Sequence, residues 1–216
     1  QALEIYAELF EADAADWDGR QLLQKLGRSL GAMNKVAIAY QHVLEVIAQH
    51  AATAETEGRS LERAESNLRR DLLLELGAIW RDDLGEPLEA EQAYREILER
   101  DETHQAAYDA LETLLRARSA HADLLDLYRR RVDVVFNQRE QRELLGRIIE
   151  IARTILGDRD TAVRTAEELL DLIPDDLATI ELLAQMYAEG GREGETDKLD
   201  KLEELLGRWA DLVNDR

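Results

Sequence analysis

One short stretch of the chain carries the residue types of a metal site. His42 and Glu45 lie three residues apart, and Gln49 and His50 follow at helical spacing. A histidine and a carboxylate one helical turn apart can share a cation. A site inside a helical bundle also needs matching glutamate and histidine residues on the facing helices, and the sequence has no second copy of this pattern. We therefore interpret these residues as exposed polar positions and expect no metal.

The segment Asp16-Trp17-Asp18-Gly19 resembles part of a calcium-binding loop. It lacks the bidentate glutamate at the required distance, and we interpret it as a turn. The glycines never form GxGxxG or GxxxxGK[ST], and neither GxSxG nor HExxH occurs. We expect a non-enzymatic protein with no catalytic residues and no cofactor.

The composition narrows the classes of partner. The chain has 216 residues, 45% of them apolar, and a net charge of −20. This charge argues against binding to nucleic acids or anionic membranes, which need clustered Lys and Arg, and no apolar run is long enough for a membrane span. The acidic surface either aids solubility or forms a groove for a basic partner. The start of the sequence is no signal peptide, and we expect a cytoplasmic location.

The elements that would position these side chains are helices. Apolar residues recur three or four positions apart nearly everywhere, which is the period of an amphipathic helix. Tyr6 and Tyr40 lie 34 residues apart, as do Tyr94 and Tyr128, each in a similar apolar setting. A recurring apolar frame at this period is typical of stacked helical hairpins.

The first helix of each hairpin carries a recurring frame. It reads Leu73-x2-Leu76-Gly77-x2-Trp80, with copies that begin at Gly19, Tyr108, Arg142 and Ile180. The second helix carries a small or apolar residue four positions before an aromatic one, as in Ala90-x3-Tyr94. These frames resemble the tetratricopeptide repeat, whose helices read W-x2-L-G-x2-Y and A-x3-F.

The resemblance implies an all-α fold, a right-handed superhelical solenoid of antiparallel helical hairpins. We expect a single array over 1–216 that belongs to a longer repeat protein. Within it, 1–12 would be the second helix of a truncated repeat. The repeats would follow at 13–54, 55–104, 105–138 and 139–176, and 177–216 would hold a terminal repeat and a capping helix after a glycine-rich break at 190–194. Gly77 and Gly146 would lie at close helix crossings.

One repeat is longer than the others. Tyr40 and Tyr94 lie 54 residues apart, and the excess lies around 51–70. We interpret it as two lengthened helices that meet near 56–59. Their apolar residues would bury against each other: Val43, Val46, Ile47, Leu61, Ala64 and Leu68.

In the tetratricopeptide family the first helices line a concave groove that binds peptides. Carried onto this sequence, the exposed groove positions are Arg20, Gln24, Asp71, Arg81, Asp109, Arg116, Glu143, Arg147, Glu181 and Gln185. The resemblance thus implies a scaffold for a peptide or protein partner, with no nucleic acid and no membrane. The alternative is an assembly component that forms a homo-oligomer through the ends of the array or the extended hairpin.

Overall fold

The computed structural model describes residues 1–190 and 196–214. Within these ranges the chain forms helices joined by short turns and no strand. Short turns make consecutive helices antiparallel neighbours, so the prediction of an all-α fold of helical hairpins is confirmed.

Contacts divide the chain into two compact units, Gln1–Leu114 and Leu115–Arg216. Within the described residues the helices are α1 (Ala2–Ala12), α2 (Trp17–Ser29), α3 (Met33–Thr56), α4 (Arg63–Ala78), α5 (Pro87–Arg100), α6 (Gln105–Ala117), α7 (His121–Val134), α8 (Gln138–Glu150), α9 (Arg159–Leu172), α10 (Leu177–Gly190) and α11 (Thr196–Asn214). Two of them continue into a π-helical segment, α4 over Ile79–Leu84 and α8 over Ile151–Leu156.

A residue with positive φ ends the first helix of four hairpins. Gly31, Gly85 and Gly157 have φ between 61° and 70°, and Ser119 has φ 55°. Glycine adopts this left-handed conformation without the steric cost that a Cβ brings. Each of these residues lies nine positions before the core position of the second helix, which is Tyr40, Tyr94, Tyr128 or Ala166.

The hydrogen bond that closes the turn differs between these helices. In α2 the Ala32 N–H donates to the Gly27 carbonyl, five residues back. After α4 the Glu86 N–H donates to the Trp80 carbonyl, six residues back, and α8 closes in the same wider way. The π-helical segments therefore add one residue between the helix and its terminal glycine.

This extra residue sets the alignment of the hairpins. One position in each first helix lies four residues before the carbonyl that accepts the closing bond. Its side chain is at most 2% exposed in all four helices: Leu23, Leu76, Leu111 and Ile148. The next position toward the turn is variable, and there Gly77 faces Tyr94. A Cβ on Gly77 would lie 2.6 Å from Tyr94 Cε1, so the prediction of a close crossing at Gly77 is confirmed.

The same prediction is wrong for Gly146. In 1–190 and 196–214, no atom beyond its two chain neighbours and the nearby backbone of its own helix lies within 4 Å of where its Cβ would be, and the residue is exposed. The counterpart of Gly77 in α8 is Ile149, which is buried, and its second helix carries Ala166 in place of tyrosine. A large residue on one helix thus accompanies a small one on the other, which keeps the filled volume similar.

The long hairpin is formed by α3 and α4. Leu61 and Leu68 pack against a core that includes Val43 and Ile47, and His50 Nδ1 lies 2.9 Å from Glu65 Oε1 across the pair. Two of the expected core residues, Val46 and Ala64, are instead exposed. Both residues are apolar, but they lie on the solvent-facing side of their helices.

Some of the helix ends carry the residue types that usually begin or end a helix. Gly85 precedes Pro87, the first residue of α5, and Asp158 accepts a hydrogen bond from the Thr161 N–H at 3.0 Å, as a helix cap does. Asn34 is of a residue type that often caps helices, but it lies inside α3, which begins at Met33. Of the predicted break at 190–194, residues 191–194 lie outside the described part of the chain.

Candidate functional site

A buried polar cluster joins three helices of the first unit around the Tyr40 hydroxyl. Tyr40 on α3 donates to Glu75 Oε2 on α4 at 2.6 Å. Gln24 Nε2 on α2 donates to the Tyr40 hydroxyl at 2.9 Å and to Glu75 Oε2 at 2.8 Å. Arg20 Nε lies 3.3 Å from Glu75 Oε1, and Arg20 Nη1 donates to the Ala14 carbonyl at 3.1 Å. Burial, and then the hydrogen bond to Glu75, raises the pKa of Tyr40, so the phenol stays protonated at neutral pH.

Two of the proposed groove residues belong to this cluster and are not on an exposed surface. Arg20 and Gln24 are only 5% and 6% exposed. The sequence frame was misplaced by one residue in α2, because Leu23 rather than Leu22 matches Leu76 of α4. Arg20 then falls at a core position, and its ion pair offsets the cost of burying the guanidinium. These two residues tie α2 to its neighbours rather than offering a surface to a partner.

In the second unit, two other proposed residues meet at one tyrosine. Arg116 Nη2 donates to the Tyr128 hydroxyl at 2.7 Å. The Arg147 guanidinium carbon lies 5.6 Å from the centroid of the Tyr128 ring, a distance at which a cation is attracted to an aromatic face. The arrangement anchors α6 and α8 to the buried tyrosine of α7.

Four further proposed residues form polar contacts with residues at most four positions away in the sequence. The pairs are Arg70–Asp71 at 3.6 Å, Arg81–Asp82 at 2.7 Å, Gln105–Asp109 at 2.8 Å and Arg139–Glu143 at 3.1 Å. Exposed pairs of this kind contribute little to stability. None of these contacts gathers the four residues into a common site.

The remaining two, Glu181 and Gln185, line a groove between α10 and α11. The groove has a volume of about 390 Å³ and an almost wholly apolar wall. Its lining consists of Ile180, Glu181, Ala184, Gln185, Ala188, Leu202, Leu206 and Trp209. This volume falls within the range of ligand-binding clefts, about 300–1,000 Å³, and two alanines on α10 leave room for side chains of a partner.

Trp209 is held in place at this groove. Its indole Nε1 donates to Glu181 Oε1 at 2.9 Å, so the ring presents an apolar face while its N–H is satisfied. Leu206, one turn earlier on α11, is 50% exposed. An apolar wall with one oriented aromatic side chain can bind an apolar segment, with Glu181 and Gln185 at its edge for polar contacts.

A second polar cluster fixes the helices behind the groove. Tyr187 on α10 donates to Glu167 Oε1 on α9 at 2.5 Å, and Lys201 Nζ on α11 donates to the same oxygen at 2.9 Å. Burial and the hydrogen bond to Glu167 raise the pKa of Tyr187 to about 12. The glutamate thus links three helices and holds α11 against α10.

The histidines weighed as metal ligands face different carboxylates. His42 Nδ1 lies 3.1 Å from Glu11 Oε2 of α1, whereas His50 contacts Glu65 of α4. No group of three or more metal-binding side chains occurs within 1–190 and 196–214. In the calcium-like segment, Asp16 Oδ1 accepts from the Asp18 N–H at 3.1 Å and begins α2, as a turn does.

Sequence reasoning missed Ala188, Leu202, Leu206 and Trp209 as groove residues. In the sequence, Leu202, Leu206 and Trp209 appear only as apolar positions of the last helix, within the terminal repeat and capping helix expected at 177–216. The partial exposure of a leucine and a tryptophan on one helix cannot be read from periodicity, since it depends on how far the neighbouring helix covers the stripe.

None of the helices in the described part of the chain is long and apolar enough to cross a membrane. No protein-family model and no curated protein matches the sequence. Among solved structures, the chain is similar to one described as the crystal structure of MamA, at 16% identity and TM-score 0.42, covering 88% of this chain and 93% of that one. It is also similar to MamA 41-end from Desulfovibrio magneticus RS-1, at 16% identity and TM-score 0.38, covering 89% and 96%.

Proposed function

We propose that this protein is a non-enzymatic interaction module that binds an apolar segment of a peptide or protein partner between α10 and α11. The single observation behind the proposal is the apolar groove that Trp209 and Leu206 flank. The resemblance to tetratricopeptide repeats favours the same function, since the family pattern places Glu181 and Gln185 on its peptide-binding face.

Affinity in such a groove comes from apolar surface removed from water, at about 25 cal/mol per Å². The partner would place two or three apolar side chains over Ala184 and Ala188, against the ring of Trp209. Trp209 is already oriented by its hydrogen bond to Glu181, so little side-chain entropy is lost when the partner binds. A polar edge around an apolar centre is the usual distribution in a binding site.

Peptides selected from a random display library against the immobilised protein test this proposal. Their affinities are measured for the wild type and for Ala188→Arg, which places a long charged side chain in the groove from an exposed position of α10. We expect affinity to fall about tenfold or more, the equivalent of ~1.4 kcal/mol. Ala122→Arg, an exposed helical alanine of α7, is the matched control and should leave affinity unchanged. Equal affinity for both variants would refute the groove.

A further inference from the structure

The first unit contains a different groove, between α1 and the start of α2. Its floor is apolar and its edge is acidic. The lining residues are Tyr6, Leu9, Phe10, Asp13, Asp16, Asp18, Gly19 and Leu22. The volume is about 360 Å³, similar to that of the α10–α11 groove.

The apolar side chains of this groove are unusually exposed. Of the lining residues, Leu9 is 59% exposed and Leu22 is 43% exposed. Ile5 and Trp17 do not line the groove but lie on the same two helices, and they are 55% and 59% exposed. Phe10 beneath them is buried and stacks on Tyr40, with ring centroids 4.6 Å apart. The floor is therefore anchored to the core of the unit, while its upper layer is open. Apolar side chains that are exposed at a groove are typical of an interaction site.

Three carboxylates surround this apolar floor. Asp13, Asp16 and Asp18 form no ion pair with any residue in 1–190 or 196–214. Gly19 leaves room for one of them, since a Cβ there would lie 2.8 Å from Asp16 Oδ2. Three negative charges around an apolar surface attract a segment that carries both apolar and cationic side chains.

We propose that the α1–α2 groove binds a basic amphipathic segment of a protein partner, with apolar side chains on Leu9 and Leu22 and Lys or Arg side chains over the three aspartates. The charge of the chain distinguishes this occupant from a second copy. Each copy carries a net charge of −20, and α1 itself exposes Glu4, Glu8 and Glu11. Two such surfaces repel each other at moderate ionic strength, whereas a cationic segment is attracted. This site is separate from the α10–α11 groove and goes beyond the proposed function.

The test uses a Leu–Lys peptide with helical periodicity and its Leu–Glu counterpart. Trp17, which lies between two of the aspartates in the sequence, serves as a fluorescent reporter in the 216-residue chain that carries Trp80→Phe and Trp209→Phe. We expect the Leu–Lys peptide to change the Trp17 emission saturably and the Leu–Glu peptide to leave it unchanged. Circular dichroism of this reporter chain establishes that it is folded.

Charge-removing variants locate the binding. Asp13→Asn with Asp18→Asn should weaken binding of the Leu–Lys peptide by about fivefold or more, since each exposed ion pair contributes up to ~1 kcal/mol. Asp16 is left intact because it caps α2. The matched control, Glu55→Gln with Glu62→Gln, removes two exposed charges from the α3–α4 turn and should leave the affinity unchanged. Equal weakening by both pairs would overturn the proposal.

Sedimentation of the wild type without peptide tests whether a second copy of the chain occupies the groove instead. We expect a monomer over the accessible concentration range. A dimer that is lost on Leu9→Ser would assign the groove to a second copy and overturn the proposal. Failure at this groove leaves the α10–α11 proposal intact, since that one is tested by Ala188→Arg.

Discussion

At the scale of single residues, the fold depends on how each first helix meets the central residue of the second. Gln24 meets Tyr40 with a hydrogen bond, and Gly77 meets Tyr94 by leaving room for its ring. A polar and a small residue therefore solve the same packing problem in two hairpins. This position tolerates different chemistry as long as the side chain matches its partner in size and hydrogen bonding.

Gly77 and Gly146 provide a matched pair of substitutions. Alanine at Gly77 must displace the buried ring of Tyr94, which costs about 1–3 kcal/mol and exceeds the gain in helix propensity of about 1 kcal/mol. Alanine at Gly146 meets open space and should stabilise by roughly 0.5–1 kcal/mol. Urea denaturation of both variants measures the two changes. A stabilised Gly77→Ala would show that the two helices cross less closely than the 2.6 Å between the Gly77 Cβ position and Tyr94 Cε1 implies.

At the scale of elements, ion pairs and caps fix helices that are far apart in sequence. Arg142 of α8 donates to Asp176 Oδ1 at 2.9 Å, just before α10 begins. The Thr179 hydroxyl donates to the other oxygen, Oδ2, at 2.6 Å. One carboxylate therefore receives bonds from both helices and sets the start of the helix that carries Glu181 and Gln185.

This carboxylate predicts a dependence of stability on pH. Burial by itself raises the pKa of Asp176, but the hydrogen bonds from Thr179 and Arg142 outweigh it and hold the pKa below its ordinary value. Its contribution is therefore present above about pH 4, the range of an unfolded aspartate, and is lost as the pH falls through the lowered value. We expect the free energy of unfolding of the wild type to fall more steeply below that pH than in Asp176→Asn. Parallel curves for the two proteins would exclude this role.

At the scale of the whole molecule, carboxylates outnumber cationic side chains, and the net charge is −20. Only 27 Lys and Arg residues accompany 47 Asp and Glu residues. Like charges spread over a folded surface repel one another, and this repulsion lowers stability. The same excess favours a cationic partner over an anionic one.

Salt should therefore stabilise this protein. Raising the ionic strength from about 0.01 M to 0.15 M shortens the Debye length from about 30 Å to about 8 Å, which screens repulsion between distant carboxylates more than the attraction within close pairs. We expect the melting temperature to rise with NaCl over this range. Sucrose at the same osmolality is the control for stabilisation by solutes that are excluded from the protein surface. A fall of the melting temperature with NaCl would show that attractive ion pairs dominate.

The sequence predicted the class of the fold but not the alignment of every helix. Helical period and tyrosine spacing were sufficient for hairpins. They left the frame ambiguous in α8, because Leu145 and Ile148 lie three residues apart on one face and either can match Leu76. The π-helical segments add a residue that no propensity signals. The sequence frame therefore matches Gly146 to Gly77 and places Arg20 on the surface, whereas Gly146 is exposed and Arg20 is buried.

The α10–α11 groove could be predicted only in part from the sequence. Glu181 and Gln185 were identified by their positions in the repeat frame. Leu206 and Trp209 were visible only as apolar positions of a last helix, and their place at the opening depends on the packing of α11 against α10. How much of an apolar helix face is buried depends on the helices that pack against it, and the apolar period alone does not determine it.

The central claim is that a partner segment binds between α10 and α11. A heteronuclear NMR titration with a display-selected peptide tests it most directly, because the three tryptophans Trp17, Trp80 and Trp209 give separate indole N–H signals. We predict that the Trp209 signal shifts as its environment beside Glu181 changes, together with the amides of Ala184 and Ala188. The Trp17 and Trp80 signals should stay in place. A peptide that binds without moving the Trp209 signal would contradict the account.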